Sequence, residues 1–377
     1  MKFSDIPGHE RTKEKLRNMV ADNVIPHALL LEGPSGIGKF AMARALAQYI
    51  HCQNRTADGE PCGVCPSCLQ HQSFNHIDTY YSFPVVKGTS RTNPVSNDFI
   101  GQFREFLGED IFMTVNGWIA KCGQSVKNAQ AQFYVAEATE LIRMLNYTTH
   151  GSKYMIVLLW LPERMNEETS NKLLKIIEEP FEDTLFIMTS DAPAEILPTI
   201  YSRVRRIEMK RLPDDVIADY LISKYSVDPS DAAALAHNAE GSVAKAVASL
   251  STKGEDREFF DMFVSLMRLA YQRKVRELRE WGATLAGWGR ERELKFYEYC
   301  QRLIRENFIY NFGEASLNYM NRDETAFSRN FARFINERNV EKILEVMNKA
   351  MADIAGNANG KIVNFDLAIK IILLLKQ

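Results

Sequence analysis

Ala28-Leu29-Leu30-Leu31-Glu32-Gly33-Pro34-Ser35-Gly36-Ile37-Gly38-Lys39-Phe40 is the stretch on which the fold turns. Its first five residues are a short apolar run that suits a buried strand. Gly33–Lys39 is a glycine-rich turn, and Phe40–His51 carries a helical pattern. Strand, glycine loop and helix in this order open an α/β domain with a parallel sheet. The loop fits G-x-x-x-x-G-K-[ST] except at its last position. Its glycines let backbone N–H groups wrap a phosphate and its lysine reaches the terminal phosphates, so Gly33, Gly36, Gly38 and Lys39 are candidate nucleotide-binding residues. The last position departs from the pattern: Phe40 stands where a Ser or Thr binds Mg²⁺, and a benzyl group coordinates no metal. The bland alternative, a chance glycine turn, explains neither the strand before the loop nor the helix after it.

Before the loop, Glu10–Ala21 has helical spacing; after it, Tyr154–Trp160 is the next strong strand. A P-loop ATPase needs an acidic residue at the end of such a strand to hold Mg²⁺ and orient water. Here the strand runs into Trp160-Leu161-Pro162-Glu163, and Glu163 comes a few positions too late. Two metal-handling positions are thus apolar, and ATP hydrolysis at this loop is not expected. Asn166 is suited to cap the following helix, whose apolar stripe is Leu173, Leu174 and Ile177 and which Pro180 ends; Leu185–Thr189 reads as a third buried strand. Between the cysteine-rich stretch and the second strand, Ala136–Asn146 reads as a helix. Residues 82–132 mix Pro84, Gly88, Pro94 and Gly108 with Phe83, Phe99, Phe103, Phe106, Phe112 and Trp118 in no single period. They are read as an insertion of loops and short helices whose aromatics form a small satellite core, a partner-binding surface being the alternative. From Pro213 onward the pattern is almost wholly helical, with a boundary at Ser249–Gly254.

Cys52, Cys62, Cys65 and Cys68 form a second constellation, one cysteine followed after nine residues by C-x2-C-x2-C. No apolar signal segment opens the chain, so a cytoplasmic location is expected, where thiols stay reduced and clustered cysteines point to metal before disulfide. Four thiolates at this spacing suit a tetrahedral structural zinc site with no open position for catalysis. Cys122 and Cys300 are isolated and read as ordinary buried cysteines. His51 and His71 are alternative ligands, expected instead to be surface residues or to stand behind the ligands.

With 377 residues, 46% hydrophobic and 25% charged, the chain has material for several cores. Its net charge of −2 argues against a strongly basic nucleic-acid binder and against a charged disordered chain. The apolar run Leu367–Leu375 is broken by Lys370 and is too short to span a bilayer. Ser202-Arg203 follows the third strand by a short helix. Arg203 is either an ordinary solvated arginine or one that projects into a neighbouring subunit's phosphate site.

The combination resembles the delta-prime branch of the bacterial clamp-loader family, AAA+ relatives that serve DNA polymerase III. The likeness is carried by Ile6-Pro7-Gly8-His9-Glu10, Ile25-Pro26-His27-Ala28, Gly33–Lys39, the four-cysteine module with His76-Ile77-Asp78 after it, Asn171-Lys172-Leu173-Leu174-Lys175-Ile176-Ile177-Glu178-Glu179-Pro180 and Ser202-Arg203. It implies an α/β P-loop AAA+ core over 1–210 with a zinc module at 52–68 and an insertion at about 82–132. A small helical lid over 211–254 and an all-α collar over 255–377 complete the implied architecture. It further implies gamma/tau-type and delta-type partners in a pentameric ring, action on a sliding clamp and primed DNA through the complex, and no membrane. In that family the delta-prime type is typically inactive as an ATPase. Arg203 would be a trans-acting arginine finger and Ser202 would help to orient it. Phe40 and Trp160-Leu161 depart from the motor pattern in the direction this assignment requires. So does Ala244 in Gly241–Lys245, where motor subunits tend to carry a phosphate-sensing arginine; Lys245 is a partial substitute. The competing readings are an ATP-hydrolysing gamma/tau-like motor and, from another class, a zinc-bearing DNA-binding module on a degenerate P-loop.

Overall fold

The three apolar runs become neighbouring parallel strands, and their period-2 alternation places a core on each side of them. The computed structural model describes residues 1–86, 93–109, 111–122, 130–146, 151–251, 253–313 and 318–376. The chain begins with α1 (Glu10–Ala21), β1 (Ala28–Glu32), α2 (Lys39–His51), α3 (Pro66–Gln72), β2 (Thr79–Ser82) and β3 (Val85–Val86). There follow α4 (Ile100–Glu109), α5 (Val115–Lys121), β4 (Ala131–Gln132), α6 (Val135–Leu145), β5 (Met155–Trp160), α7 (Glu167–Glu178), β6 (Thr184–Ser190), α8 (Pro198–Tyr201) and β7 (Arg205–Glu208). The main sheet has the order β2-β5-β6-β1-β7, all parallel, with Ala28 opposite Phe186 and Ile156 opposite Leu185.

Leu29, Leu31, Ile156, Leu158, Leu185 and Ile187 face one side of the sheet, packed with α2 and the inserted elements. Ala28, Leu30, Val157, Leu159, Phe186 and Met188 face the other, with Leu141 of α6 and Leu173 and Ile177 of α7. Every residue of α2 is buried, which is why its pattern has no polar face. Asn166 caps α7 by accepting from the Thr169 N–H at 2.8 Å, as its sequence position predicts.

The sequence reading missed two strands of the main sheet. β7 reads Arg-Arg-Ile-Glu and only Ile207 is buried, as befits a charged edge strand; β2 is a four-residue opposite edge. The satellite core is corrected: Phe83, Phe103, Phe106 and Trp118 belong to the main core of the α2 side, together with Phe40, Tyr81 and Trp160. Phe83 stacks on Phe103 at 3.7 Å, and Phe103 lies 6.0 Å from Phe40 and 5.9 Å from Trp160. The insertion completes the face of the sheet and adds the antiparallel pair β3–β4. Its residues 87–92, 110 and 123–129, Gly88 among them, lie outside the described residues, as does Thr252 of the boundary segment.

The remainder is helical: α9 (Asp214–Tyr225), α10 (Pro229–Asn238), α11 (Val243–Ser251), α12 (Lys253–Gln272), α13 (Val275–Ala286), α14 (Arg290–Tyr310), α15 (Arg322–Phe331), α16 (Val340–Ala355) and α17 (Gly360–Leu374). The chain divides into two compact units, residues 1–220 with 239–246, and residues 221–238 with 247–377. The second unit has its own core of Phe263, Leu278, Phe296, Leu303, Ile343 and Ile371. In it α13 and α17 approach closely at Gly282, where a Cβ would lie 3.2 Å from the Phe365 nitrogen. The buried Asn364 donates to the Gly282 carbonyl and accepts from the Tyr297 hydroxyl. Among the described residues no helix is long and apolar enough to cross a membrane.

Candidate functional site

The P-loop has the backbone of a phosphate cradle. Gly36 (φ +76°) and Gly38 (φ +94°, at the start of α2) adopt the left-handed conformation that glycine tolerates. Both are also closely covered. A Cβ on Gly36 would lie 2.3 Å from Ser242 Oγ and 2.6 Å from Ala244 Cβ, and one on Gly38 would lie 3.2 Å from the Phe112 ring. The Ala244 N–H donates to the Gly36 carbonyl at 3.1 Å. Lys245 makes an ion pair with Glu240 at 3.4 Å.

Lys39 is turned to partners within the chain. Its ammonium lies 2.7 Å from Asp191 Oδ1, donates to the Gly33 carbonyl at 2.8 Å and also to that of Pro34, and the residue is only 4% exposed. Burial lowers its pKa, and the Asp191 carboxylate opposes that shift. Asp191 is the first residue after β6, beside β1 in the sheet; Glu163 Oε1 accepts from the Asp191 and Ala192 N–H groups at 2.8 and 3.2 Å and so orders that turn. The rings of Phe40 and Trp160 lie 6.1 Å apart, so the two apolar replacements meet each other. The space left among Gly36, Gly38, Lys39, Phe40, Ile111, Met113, Trp160, Thr189 and Asp191 is about 10 Å³. That is about the room one water needs. Ile111 and Met113 come from the insertion, which therefore lies against the loop itself.

The four cysteines converge. Their sulfurs all lie within 4.8 Å of one another, with Cys62 and Cys68 at 3.9 Å. A tetrahedral site with Zn–S bonds of about 2.3 Å needs sulfur separations of about 3.8 Å, so the set fits a four-coordinate ion. The Cys62 N–H points at Cys52 Sγ (3.2 Å) and the Cys65 N–H at Cys62 Sγ (3.3 Å). Backbone N–H groups of Val64 and Cys65 lower the Cys62 thiol to about 6, favouring the thiolate that a metal takes. The turn at Thr56–Glu60 closes the hairpin, and Glu60 ties it to the N-terminus by accepting from the Phe3 and Ser4 N–H groups and pairing with Arg17 at 2.6 Å.

His51 and His71 are not surface residues. Together with His76 they form a buried stack. His51 Nε2 must donate to the Tyr154 carbonyl (2.8 Å), so its Nδ1 accepts from His71 Nε2 (2.9 Å). The Asp78 N–H donates to His76 Nδ1 (3.1 Å), leaving His76 Nε2 to donate to Ser67 Oγ (2.9 Å). In this arrangement His51 and His76 each keep one nitrogen as an acceptor and are neutral. Burial, reinforced by the neighbouring histidines, lowers His51 to about 4 and His71 further; burial also lowers His76. Each ring offers a nitrogen within 4.8 Å of the others, but both nitrogens of His51 and of His76, and Nε2 of His71, are spent on these hydrogen bonds.

Arg203 follows α8 and is about one-third exposed. Its Nε lies 2.9 Å from Glu178 Oε2, at the end of α7, and its Nη1 donates to the Thr199 carbonyl at 2.9 Å. Ser202 Oγ donates to the same carbonyl at 3.2 Å, so the two side chains share an acceptor.

A family model described as DNA polymerase III, delta subunit, matches residues 8–213, over half of the chain. The chain belongs to this family. Among curated relatives, it is 28% identical to the DNA polymerase III subunit delta′ of Bacillus subtilis over 264 residues, 70% of this chain and 65% of that protein. It is 32% identical to the delta′ subunit of Pseudomonas aeruginosa over 177 residues, 47% of this chain and 41% of the other. It is 24% identical to the tau/gamma subunit of Haemophilus influenzae over 58% of this chain and 25% of that protein. The matches therefore span less than two thirds of each relative. The delta-prime likeness read from the motifs holds.

Asp191 and Glu178 are among the residues of the site that escaped the sequence reading. Asp191 stands directly after a buried strand, and a carboxylate at that edge was the available signal. Glu178 sits inside the Lys-x-x-Glu-Glu-Pro run, whose recognition gave no clue to its contact with Arg203.

Proposed function

We propose that this protein is a clamp-loader subunit of DNA polymerase III that has no ATPase activity of its own and supplies Arg203 to the ATP site of a neighbouring subunit. The observation that carries the proposal is the filled P-loop. Lys39 is neutralised by Asp191, the two metal-handling positions hold Phe40 and Trp160, and Ile111 and Met113 take the remaining room. A guanidinium that remains partly exposed at the edge of the same core suits a role toward another chain. Nucleotide binding at Gly33, Gly36, Gly38 and Lys39 is not part of this reading. The likeness to a tau/gamma subunit speaks for a motor, but the occupied loop speaks against hydrolysis here.

The reading includes gamma/tau-type and delta-type neighbours in a five-membered ring acting on a sliding clamp and primed DNA, and a division at 1–210, 211–254 and 255–377 into core, lid and collar. Cys52, Cys62, Cys65 and Cys68 would hold a structural zinc ion, which cross-links the hairpin without taking part in chemistry.

Reconstitution with the motor and clamp-opening subunits tests it. The isolated chain is expected to hydrolyse no ATP, and Arg203→Ala to remove the activity of the interface it serves. A finger is worth about 10³–10⁵ in rate at one site, although intact sites elsewhere in the ring dilute that loss in the total. ATP turnover by the R203A complex at the wild-type rate would refute the assignment.

A further inference from the structure

We propose that Glu178 is the positioning residue of Arg203: it braces the guanidinium by its Nε edge so that the Nη2 end faces the neighbour's triphosphate. This rests on the reading of Arg203 as a finger acting in trans. The motif that contains Glu178, Asn171–Pro180, is so far unexplained by any role in the P-loop or the cysteine site. Its geometry supplies the explanation. Pro180 has no N–H to continue the helix, so α7 ends at Glu178 with Glu179 already out of helical conformation (φ −127°, ψ 76°). Leu173 and Ile177 fasten the helix to the sheet, alongside Ile200 of α8. The last helical side chain is thereby delivered to the residue that follows α8.

An arginine has five N–H donors in one plane. Among the described residues one on Nη1 is donated to the Thr199 carbonyl, and Nε lies 2.9 Å from the Glu178 carboxylate as an ion pair. Contacts on two different nitrogens fix the orientation of that plane and leave Nη2 unengaged. A flexible arginine would sample many rotamers before meeting a phosphate; a braced one arrives oriented, and misplacing a reacting group can cost about 10²-fold. Glu178 is half exposed, so its part here is contact with Arg203 and not burial in the core.

The test uses the reconstituted loader with primed DNA and clamp, comparing E178A, E178Q, R203A and the double variant E178A/R203A. The drop in kcat caused by R203A defines the contribution of the finger. E178A is expected to assemble normally and to lose at least roughly half of that contribution, with KM for ATP unchanged within about twofold. E178Q, whose amide oxygen can still accept from Nε, is expected to regain most of the loss. The double variant is expected to match R203A. E178A at the wild-type rate overturns the inference while leaving the finger in place if R203A is impaired. E178A above the wild-type rate also overturns it, because the carboxylate would then restrain the arginine and not brace it. Failed assembly, or a double variant slower than R203A, assigns Glu178 a structural role and overturns it as well. R203A at the wild-type rate removes the underlying reading, a distinct result.

Discussion

Phe40 is the residue at which the proposed loss of Mg²⁺ binding and a gain of packing coincide. It is 4% exposed, within 6.0–6.5 Å of the rings of Phe103, Trp160 and Tyr81. Restoring the missing hydroxyl by Phe40→Thr is therefore expected to destabilise the fold by about 3–5 kcal/mol, the range for removing a buried phenyl ring. Urea unfolding measures that. The variant is still expected to bind no Mg²⁺-ATP, because Ile111, Met113 and the Lys39–Asp191 pair keep their places; binding of a fluorescent ATP analogue to F40T would show that the occlusion argument is wrong. The role of Phe40 was legible because the motif fixes its position relative to Lys39. The counter-ion of Lys39 was not, since Asp191 reaches it only through the placement of β6 beside β1, a pairing that no local pattern encodes. The burial of His51 and His71 was hidden for a related reason: each is shielded by partners such as Tyr154 and His76 that lie far away in sequence or on other elements.

At the scale of elements, the cysteine hairpin and the insertion contrast. The hairpin was readable because metal-ligand spacing is local: three of the four sulfurs lie within seven residues, and Cys52 is returned to them by the turn at Thr56–Glu60. The hairpin has no apolar core beyond its cysteines, so removing the ion should loosen it. The purified protein is expected to carry one zinc per chain by metal analysis. Chelation, or Cys65→Ser, is expected to lower the melting temperature by about 5–10 °C, the shift that a loss of a few kcal/mol gives in a domain of this size. A metal-free preparation with an unchanged melting temperature would count against the site. The insertion was unreadable because its aromatics answer to a distant partner. Phe83, Phe103 and Trp118 pack toward Trp160 and Phe40, so their spacing follows the surface they cover and not the period of their own helices. β7 escaped for the opposite reason, its charged edge giving one buried residue and no alternation to detect.

At the scale of the whole molecule, the two ends of the nucleotide chemistry are separated. The half that would bind its own phosphate is closed by an internal ion pair, and the half that would serve another's is left partly open at Arg203. This separation predicts that the two sites respond independently. Lys39→Met removes the cation but no contact to a second chain, so a complex built with K39M is expected to retain ATPase and clamp loading within about twofold of wild type. The cost should appear instead in the isolated chain. Asp191 is left beside an apolar side chain with its charge uncompensated, and because that carboxylate is partly solvated the loss should be about 1–3 kcal/mol, below the range for a fully buried pair. Steady-state ATPase of the complex and urea unfolding of the chain measure the two halves separately. A K39M complex as impaired as the R203A complex, with the chain's stability unchanged, would mean that the P-loop takes part in the cycle after all, and the asymmetry on which the proposed role depends would be lost.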